Sequence, residues 1–158
     1  MIPRNIGAYI NPVVVLVAQS SVVAVVKGSG LDRFALPPTR GAKGQIVTGG
    51  IPMSAVLHGI AGAVTGAPSA VGVSYQIQDS VDNVDGDYAN SANPDGTNMV
   101  LSLAAVSIDG RIDVDLTGLK RWMRVVATIT ATGGTTPALL FSADLIFGGV
   151  NENPQNFI

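Results

Sequence analysis

The stretch KRWMRVVATITATGGTTPALLFSADLIFGG, Lys120 to Gly149, decides the fold class because hydrophobic pattern, turn chemistry and length agree there. In its first half every second residue is apolar, which is the side-chain period of a β-strand; the set on one face is Met123, Val125, Ala127 and Ile129. After the turn cluster Gly133 to Pro137 the alternation resumes, with one face made of Leu139, Phe141, Ala143, Leu145 and Phe147. We predict a long antiparallel hairpin in which Arg124 and Asp144 are neighbours on the outward face.

Further strands are predicted upstream of this stretch. Alternation places Val71, Val73, Tyr75 and Ile77 inward, and a second run begins at Arg111 with Ile112, Val114 and Leu116 inward. Asp109-Gly110 is a two-residue hairpin signal, and shorter strands are predicted in Ser54 to Gly62 and Met99 to Leu103. About eight short strands separated by frequent turns are typical of an antiparallel β-sandwich or jelly roll, so the fold class is predicted as all-β.

The 158-residue chain is long enough for one domain with its own core. Residues 1–12 contain two prolines and no periodicity, and we interpret them as an N-terminal arm. Residues 13–149 are predicted to form a single β-sandwich domain, and residues 150–158 an amide-rich C-terminal tail.

The most apolar run, Val13 to Val26, is too short to span a membrane and is interrupted at Gln19 to Ser21. Its β-branched residues favour one strand, or two strands with a turn at Gln19 to Ser21. A signal peptide, with Arg4 as its basic start, is the less favoured interpretation.

Composition limits the classes of function. Only 13% of the residues are charged while 47% are hydrophobic, so we expect a partner, or copies of the chain itself, to cover part of the surface. The formal net charge of −2 argues against nucleic-acid binding, which requires a basic stripe. The chain has no cysteine, which excludes disulfides, thiolate zinc sites and cysteine nucleophiles.

No catalytic motif or cofactor-binding motif is found. His58 is the only histidine, and a lone histidine in an apolar run is more often packed or hydrogen-bonded than catalytic. Ser74 lacks the second glycine of a nucleophile elbow, and the glycine-rich segments match neither a phosphate loop nor a dinucleotide turn. Asp113 and Asp115 share one strand face, but few aromatic residues are available to hold a sugar beside them. We predict that the protein is not an enzyme and uses no cofactor or metal.

The acidic segment Asp79 to Gly96 allows two interpretations. It is either a solvated, turn-rich loop, which we favour, or a calcium site, because calcium takes six to eight oxygen ligands. The carboxylates available for such a site are Asp79, Asp82, Asp85 and Asp87.

The sequence between residues 71 and 149 resembles the small decoration, or cement, proteins of tailed-bacteriophage capsids. The resemblance is carried by YQIQDSVDNVDGDY (75–88), RIDVDLTG (111–118) and GLKRWMRVVATITATGGTTPALLFSADLIFGG (118–149). It is a pattern of strands and turns, covers about half of the chain, and contains no catalytic fingerprint. The resemblance implies a structural protein on the outer surface of the virion, made in the host cytoplasm, that binds the major capsid protein and associates with itself as a homodimer or homotrimer.

The partner-binding residues that we predict come from exposed, unpatterned segments and not from the resemblance. They are Ile2, Arg4, Tyr9, Arg33, Arg40, Lys43, Trp122 and Phe157. Trp122 lies opposite Met123 and Val125 on its strand, so it is either available to a partner or buried under a second layer. Neither nucleic acid nor a membrane is an expected partner. The alternative function is a carbohydrate-binding or cell-surface-binding β-sandwich of a tail fibre or adhesin, which predicts an exposed aromatic platform.

Overall fold

The computed structural model describes residues 11–35, 39–40, 46–47, 51–104 and 106–150, almost all of them in strands and turns. A single 3-10 turn in this part of the chain covers Asp85–Asp87. The strands are β1 (Asn11–Val22), β2 (Val25–Lys27), β3 (Leu31–Asp32), β4 (Thr39–Arg40), β5 (Ile46–Val47), β6 (Pro52–Thr65), β7 (Ala70–Ser80), β8 (Ala89–Asn90), β9 (Val100–Leu103), β10 (Ile108–Asp115), β11 (Trp122–Thr132) and β12 (Ala138–Val150).

Two antiparallel sheets pack face to face. Sheet A has the strand order β1-β12-β6-β10, and sheet B has the order β2-β11-β7-β8, with β3 also pairing with β11 and β9 with β7. The short strands β4 and β5 pair only with each other in the described part of the chain. The predicted all-β sandwich is confirmed.

The chain crosses repeatedly between the two sheets, which gives the sandwich a jelly-roll topology. Five connections between consecutive strands cross from one sheet to the other: β1 to β2, β6 to β7, β9 to β10, β10 to β11 and β11 to β12. All of them except the connection from β10 to β11 lie at the same end of the sandwich, which we call the crossover end and define by residues 23–24, 66–69, 104, 106–107 and 133–137.

The predicted hairpin between residues 120 and 149 is wrong, because its two strands belong to different sheets. β11 pairs with β7 in sheet B, while β12 pairs with β1 and β6 in sheet A. The inward faces were predicted correctly, since Met123, Val125, Leu139 and Phe141 are all buried. They meet across the core, and the connection at Gly133 to Pro137 spans the thickness of the sandwich.

Asp109-Gly110 does not form the predicted hairpin turn either; both residues lie inside β10, opposite Ile60 and Gly59 of β6. The glycine is required by packing, since a Cβ atom on Gly110 would lie 2.7 Å from Leu103 Cδ2. Across the ladder, a Cβ on Gly59 would lie 2.6 Å from Tyr75 Cε2. This glycine pair makes room for the large side chains that sheet B sends into the core.

One hydrophobic core fills the space between the sheets. Tyr75 lies at its centre, fully buried, and donates a hydrogen bond to the carbonyl oxygen of Ile60 at 2.6 Å. Burial raises the pKa of Tyr75 to about 12. The other large side chains with essentially no solvent exposure are Leu57, Ile77, Met99, Leu116, Met123, Val125, Leu139, Phe141 and Leu145.

The apolar run Val13 to Val26 forms two strands, but the break falls at Val23-Ala24 and not at Gln19 to Ser21. β1 starts at Asn11, two residues before the predicted start of the domain, and β12 continues to Val150. The rest of the predicted arm and tail lies outside the described residues. In the part of the chain that the structure describes, no helix is long and apolar enough to cross a membrane.

Candidate partner-binding site

Three long strands begin and three end at the end of the sandwich opposite the crossover end. Here β1, β6 and β11 start, while β7, β10 and β12 finish, as the pairs Asn11 with Phe147 and Pro52 with Val150 show. The turn that follows β3 lies at the same end. We call this region the Phe34 end and define it by residues 32–35, 52–53, 79–80 and 116–122.

Phe34 is held in a tight turn that leaves its ring exposed. The side chain of Asp32 accepts a hydrogen bond from the backbone N–H of Phe34 at 3.0 Å, and the Asp32 carbonyl accepts one from Ala35 at 3.1 Å. The Arg33 N–H donates to the carbonyl of Arg121 at 3.1 Å, which anchors the turn to the start of β11. Phe34 is 49% exposed and is the only exposed aromatic residue in the described part of the chain.

Arg121 connects the aromatic residues of this end. Its Nε and Nη2 donate to the same Asp32 carboxylate oxygen at 3.0 and 2.6 Å. The guanidinium carbon lies 6.0 Å from the centre of the Phe34 ring and 5.6 Å from that of the Trp122 ring, within cation-π range. The hydrogen bond from Arg121 lowers the pKa of Asp32, and the same bond raises the pKa of Arg121.

Arg33 was predicted to be an exposed contact, and this is wrong: only 4% of its surface is exposed. Its Nη1 donates to the carbonyl oxygens of Leu116 and Leu119 at 2.9 and 2.7 Å, and Nη2 reaches the Pro52 carbonyl at 3.4 Å. Desolvation lowers the pKa of Arg33, and the charge of Asp79 opposes that effect. The turn directs this side chain inward, where it joins β6 to the chain after β10.

Trp122 takes an intermediate position between the two predicted alternatives. It is the first residue of β11, lies between Asp32 and Ser80 in the ladder and is half-buried. Arg40 lies in β4, with its side chain outside the described part. The other predicted contact residues, which lie entirely outside the described ranges, are Ile2, Arg4, Tyr9, Lys43 and Phe157.

Three of the four carboxylates considered for a calcium site are bound to separate protein groups. Asp79 is buried and accepts from the backbone N–H of Lys120 at 3.0 Å, whereas Asp82 accepts from the Ser80 hydroxyl at 3.0 Å. Asp85 faces outward and forms an ion pair with Lys27, with 2.8 Å between Lys27 Nζ and Asp85 Oδ2. No group of acidic or histidine side chains within the described ranges converges to hold a metal ion.

Arg124 does not approach Asp144 as predicted, because the two residues lie on opposite sheets. Arg124 is 6% exposed, and its guanidinium stacks 4.0 Å from the centre of the Tyr88 ring. It donates to Gln78 at 2.9 Å and also to Asp85, whose pKa is lowered first by its hydrogen bond with Lys27 and then by that with Arg124. Together these contacts fasten the acidic segment to the outer face of sheet B.

His58 lies half-buried on the outer face of sheet A. Its Nε2 is 3.5 Å from an Asp109 oxygen, and its Nδ1 is 3.9 Å from an Asp144 oxygen. Asp113 and Asp115 share the outward side of the neighbouring strand β10. Within the described ranges, no serine or threonine hydroxyl forms a hydrogen bond with His58.

Comparison with known proteins adds little to this geometry. No family model matches the chain, and no curated protein matches it. Among solved structures, the chain is similar over 95% of its length to the Eiger TNF of S. frugiperda, of which 99% is covered, at 11% identity and a TM-score of 0.33.

Sequence reasoning missed both central residues of the candidate site. Neither Phe34 nor Arg121 was among the predicted contact residues. The available signal was the order of residues in KRWMR (120–124), where Arg121 directly precedes the tryptophan at the start of a strand. The partner Asp32 is 89 residues away in the chain, so their contact was not readable from any local pattern.

Proposed function

We propose that this protein is a capsid decoration protein, which binds the outer surface of a tailed-bacteriophage head and stabilises the lattice of the major capsid protein. The observation that supports the proposal best is the exposed ring of Phe34, set between the guanidinium groups of Arg33 at 5.9 Å and Arg121 at 6.0 Å. Aromatic and arginine side chains are the groups most enriched at the centres of protein interfaces. A rigid cluster of both suits a structural binding protein.

The position of this cluster also supports the proposal. The contact segments predicted from the sequence adjoin β1, β3, β6 and β12 at the points where these elements reach the Phe34 end. The described ends of these strands therefore lie at the same end of the sandwich as the cluster. Arg33, buried behind Phe34, serves in this proposal as the support of the surface and not as a contact.

Stabilisation of the shell would follow from mass action. A protein that binds the assembled lattice but not its dissociated subunits lowers the free energy of the assembled state in proportion to the logarithm of its free concentration. No covalent chemistry is needed. Self-association of the protein, as a homodimer or homotrimer, would strengthen binding by linking several contacts.

The test is co-sedimentation of the purified protein with expanded heads of its phage, comparing the natural chain with Phe34→Ser. We expect the variant to bind about 30-fold more weakly, the effect of losing one interface hot spot. Leu140→Ser is the matched control, because Leu140 is 42% exposed but lies near the crossover end, and it should bind as the natural chain does.

Heads carrying the natural protein should also disrupt at a higher temperature than bare heads. A chain that ignores heads and sediments with host cells or glycans would overturn the proposal in favour of the carbohydrate-binding or cell-surface-binding alternative. Equal losses for Phe34→Ser and Leu140→Ser would show that binding does not depend on the Phe34 end.

A further inference from the structure

The two edges of sheet A differ sharply in charge. The edge strand β10 carries four charged residues at alternate positions, Asp109, Arg111, Asp113 and Asp115. Such charges are the usual protection of an edge strand against pairing with another chain. The edge strand β1 carries no charged residue in its twelve positions, NPVVVLVAQSSV.

Exposed apolar side chains concentrate along β1 and the residues that follow it. Of the eleven large hydrophobic side chains exposed in the described part of the chain, five lie in this segment: Val14, Val17, Val22, Val23 and Val25. Val17 is 71% exposed and Val14 is 63% exposed. This surface is therefore both uncharged and apolar, and β12 is the only strand within the described ranges that pairs with β1.

We propose that β1 pairs edge to edge, antiparallel, with β1 of a second copy of this chain. The inference rests on the self-association included in the proposed function and names the strand that carries it. Antiparallel pairing of identical strands generates a two-fold axis, so the product is a closed dimer. The two four-stranded A sheets would become one continuous sheet across the axis.

The regular part of β1 fits such pairing best between Gln19 and Val22. Register shifts interrupt the ladder with β12 near Leu16, whereas Gln19 to Val22 pair with four consecutive residues of β12, Phe141 to Ala138. A two-fold axis between Ser20 and Ser21 places each serine opposite the other serine of the second copy, and Val22 opposite Gln19. These cross-strand neighbours bring no like charges together.

A second copy is the occupant that the charges favour. The chain has a formal net charge of −2, so two copies repel each other only weakly at long range. A heterologous contact between β1 and the charged edge β10 would leave free edges and extend into an open chain of molecules. Pairing of β1 with itself uses the uncharged edge once and leaves β10 as the protected outer edge.

The experiment is sedimentation velocity of the natural protein over a range of concentrations, without heads. We expect a mass of two chains of 16.1 kDa each, with dissociation on dilution. Val22→Lys should raise the dimer dissociation constant about 100-fold, because a charge on an edge strand opposes pairing. Val84→Lys is the matched control, since Val84 is 53% exposed, close to the 55% of Val22, but lies in the acidic segment.

Ser20→Lys provides a second variant in case Val22→Lys fails to fold, because Ser20 is exposed and polar; the circular dichroism of each variant is compared with that of the natural chain. A monomer at all concentrations, a mass of three chains, or equal dissociation by Val22→Lys and Val84→Lys would overturn the inference. Head binding is scored separately, so a monomer that still binds heads refutes the dimer alone, and a dimer that ignores heads refutes decoration alone.

Discussion

The two ends of the sandwich are closed by different means. At the crossover end, backbone groups hold the connections together: Ser69 donates its N–H to the Thr132 carbonyl at 2.8 Å, and Thr135 donates its N–H to the Gly66 carbonyl at 2.8 Å. At the Phe34 end, charged side chains make the equivalent links. Arg33 there reaches three carbonyl oxygens, and Asp79 receives the N–H of Lys120 at 3.0 Å.

This difference separates an end that is complete by itself from one that presents chemistry to its surroundings. At the crossover end the backbone itself makes these links. At the Phe34 end, long side chains close the sandwich from inside, while Phe34, Arg121 and Trp122 remain partly accessible. Stability and binding should therefore be separable there: Arg33 supports the fold, whereas Phe34 serves recognition.

The largest effect is expected from Arg33→Met. The substitution removes the donors for the Leu116, Leu119 and Pro52 carbonyls while keeping much of the apolar volume. Because buried acceptors without a donor are expensive, we expect a loss of about 3 kcal/mol in the free energy of unfolding. For a chain of this size the melting temperature should fall by about 10 °C, measured by calorimetry.

Arg121→Met is the control for Arg33→Met at the same end. Arg121 is largely exposed and bonds to Asp32 at the surface, where ion pairs contribute little to stability. The melting temperature of Arg121→Met should therefore stay close to that of the natural protein. Similar losses for both variants would contradict the assignment of Arg33 as the internal support.

A smaller effect is expected from Gly66→Ala at the crossover end. Gly66 has a φ of +78°, and an added Cβ would overlap the Thr135 carbonyl oxygen. We expect a loss of about 2 kcal/mol, combining backbone strain with this overlap. Gly118→Ala at the Phe34 end is the matched comparison, because its φ is +84° but nothing lies within 4 Å of the added atom. Gly118→Ala should lose only about 1 kcal/mol in the free energy of unfolding, because backbone strain is its only cost. Urea unfolding of both variants measures the difference.

The smallest effect concerns pH. The folded-state pKa of Asp32 lies below its ordinary value of 3.8, chiefly because of the hydrogen bond from Arg121. The folded protein thus binds fewer protons than the unfolded chain, so the stabilisation is present above about pH 4 and is lost as the pH falls through the folded pKa. Unfolding free energies of the natural chain and Asp32→Asn should therefore converge in acid.

Asp113→Asn is the control for this pH dependence, because Asp113 forms no ion pair in the described ranges. The difference in unfolding free energy between Asp113→Asn and the natural chain should change less with pH than the same difference for Asp32→Asn. A constant difference for Asp32→Asn from neutral to acidic pH would show that the bond between Arg121 and Asp32 does not stabilise the fold.

Local patterns predicted the strands well but not their partners. The alternation in β7, β11 and β12 identified the buried faces, because a side-chain period of two is a property of the strand itself. The same patterns gave a hairpin for β11 and β12, since a turn between two alternating runs looks alike whether it joins neighbours in one sheet or crosses to another. The hairpin turn predicted at Asp109-Gly110 was wrong for a related reason. Gly110 is required by its packing against Leu103, and Leu103 belongs to sheet B.

The candidate site was less predictable than the fold. Trp122 was identified from its position opposite Met123 and Val125 on its strand, but Arg33 was predicted to be exposed and Phe34 was not recognised as exposed. In the tight turn after β3 the Arg33 side chain is buried and the Phe34 ring is exposed, and only the tertiary structure decides which of the two faces the core. Here the carbonyl oxygens of Leu116, Leu119 and Pro52 accept hydrogen bonds from the guanidinium, which satisfies a charged group at a buried position.

The sequence by itself determined an all-β, cysteine-free, weakly charged chain and the inward faces of its main strands, because these properties depend on composition and on neighbours two positions apart. Only the tertiary structure decided the jelly-roll order of the strands, the burial of Arg33 and Arg124, and the meeting of Asp32 with Arg121. Those features arise from contacts between residues far apart in the chain, for which the free energy is set by burial and hydrogen bonding in the assembled sandwich.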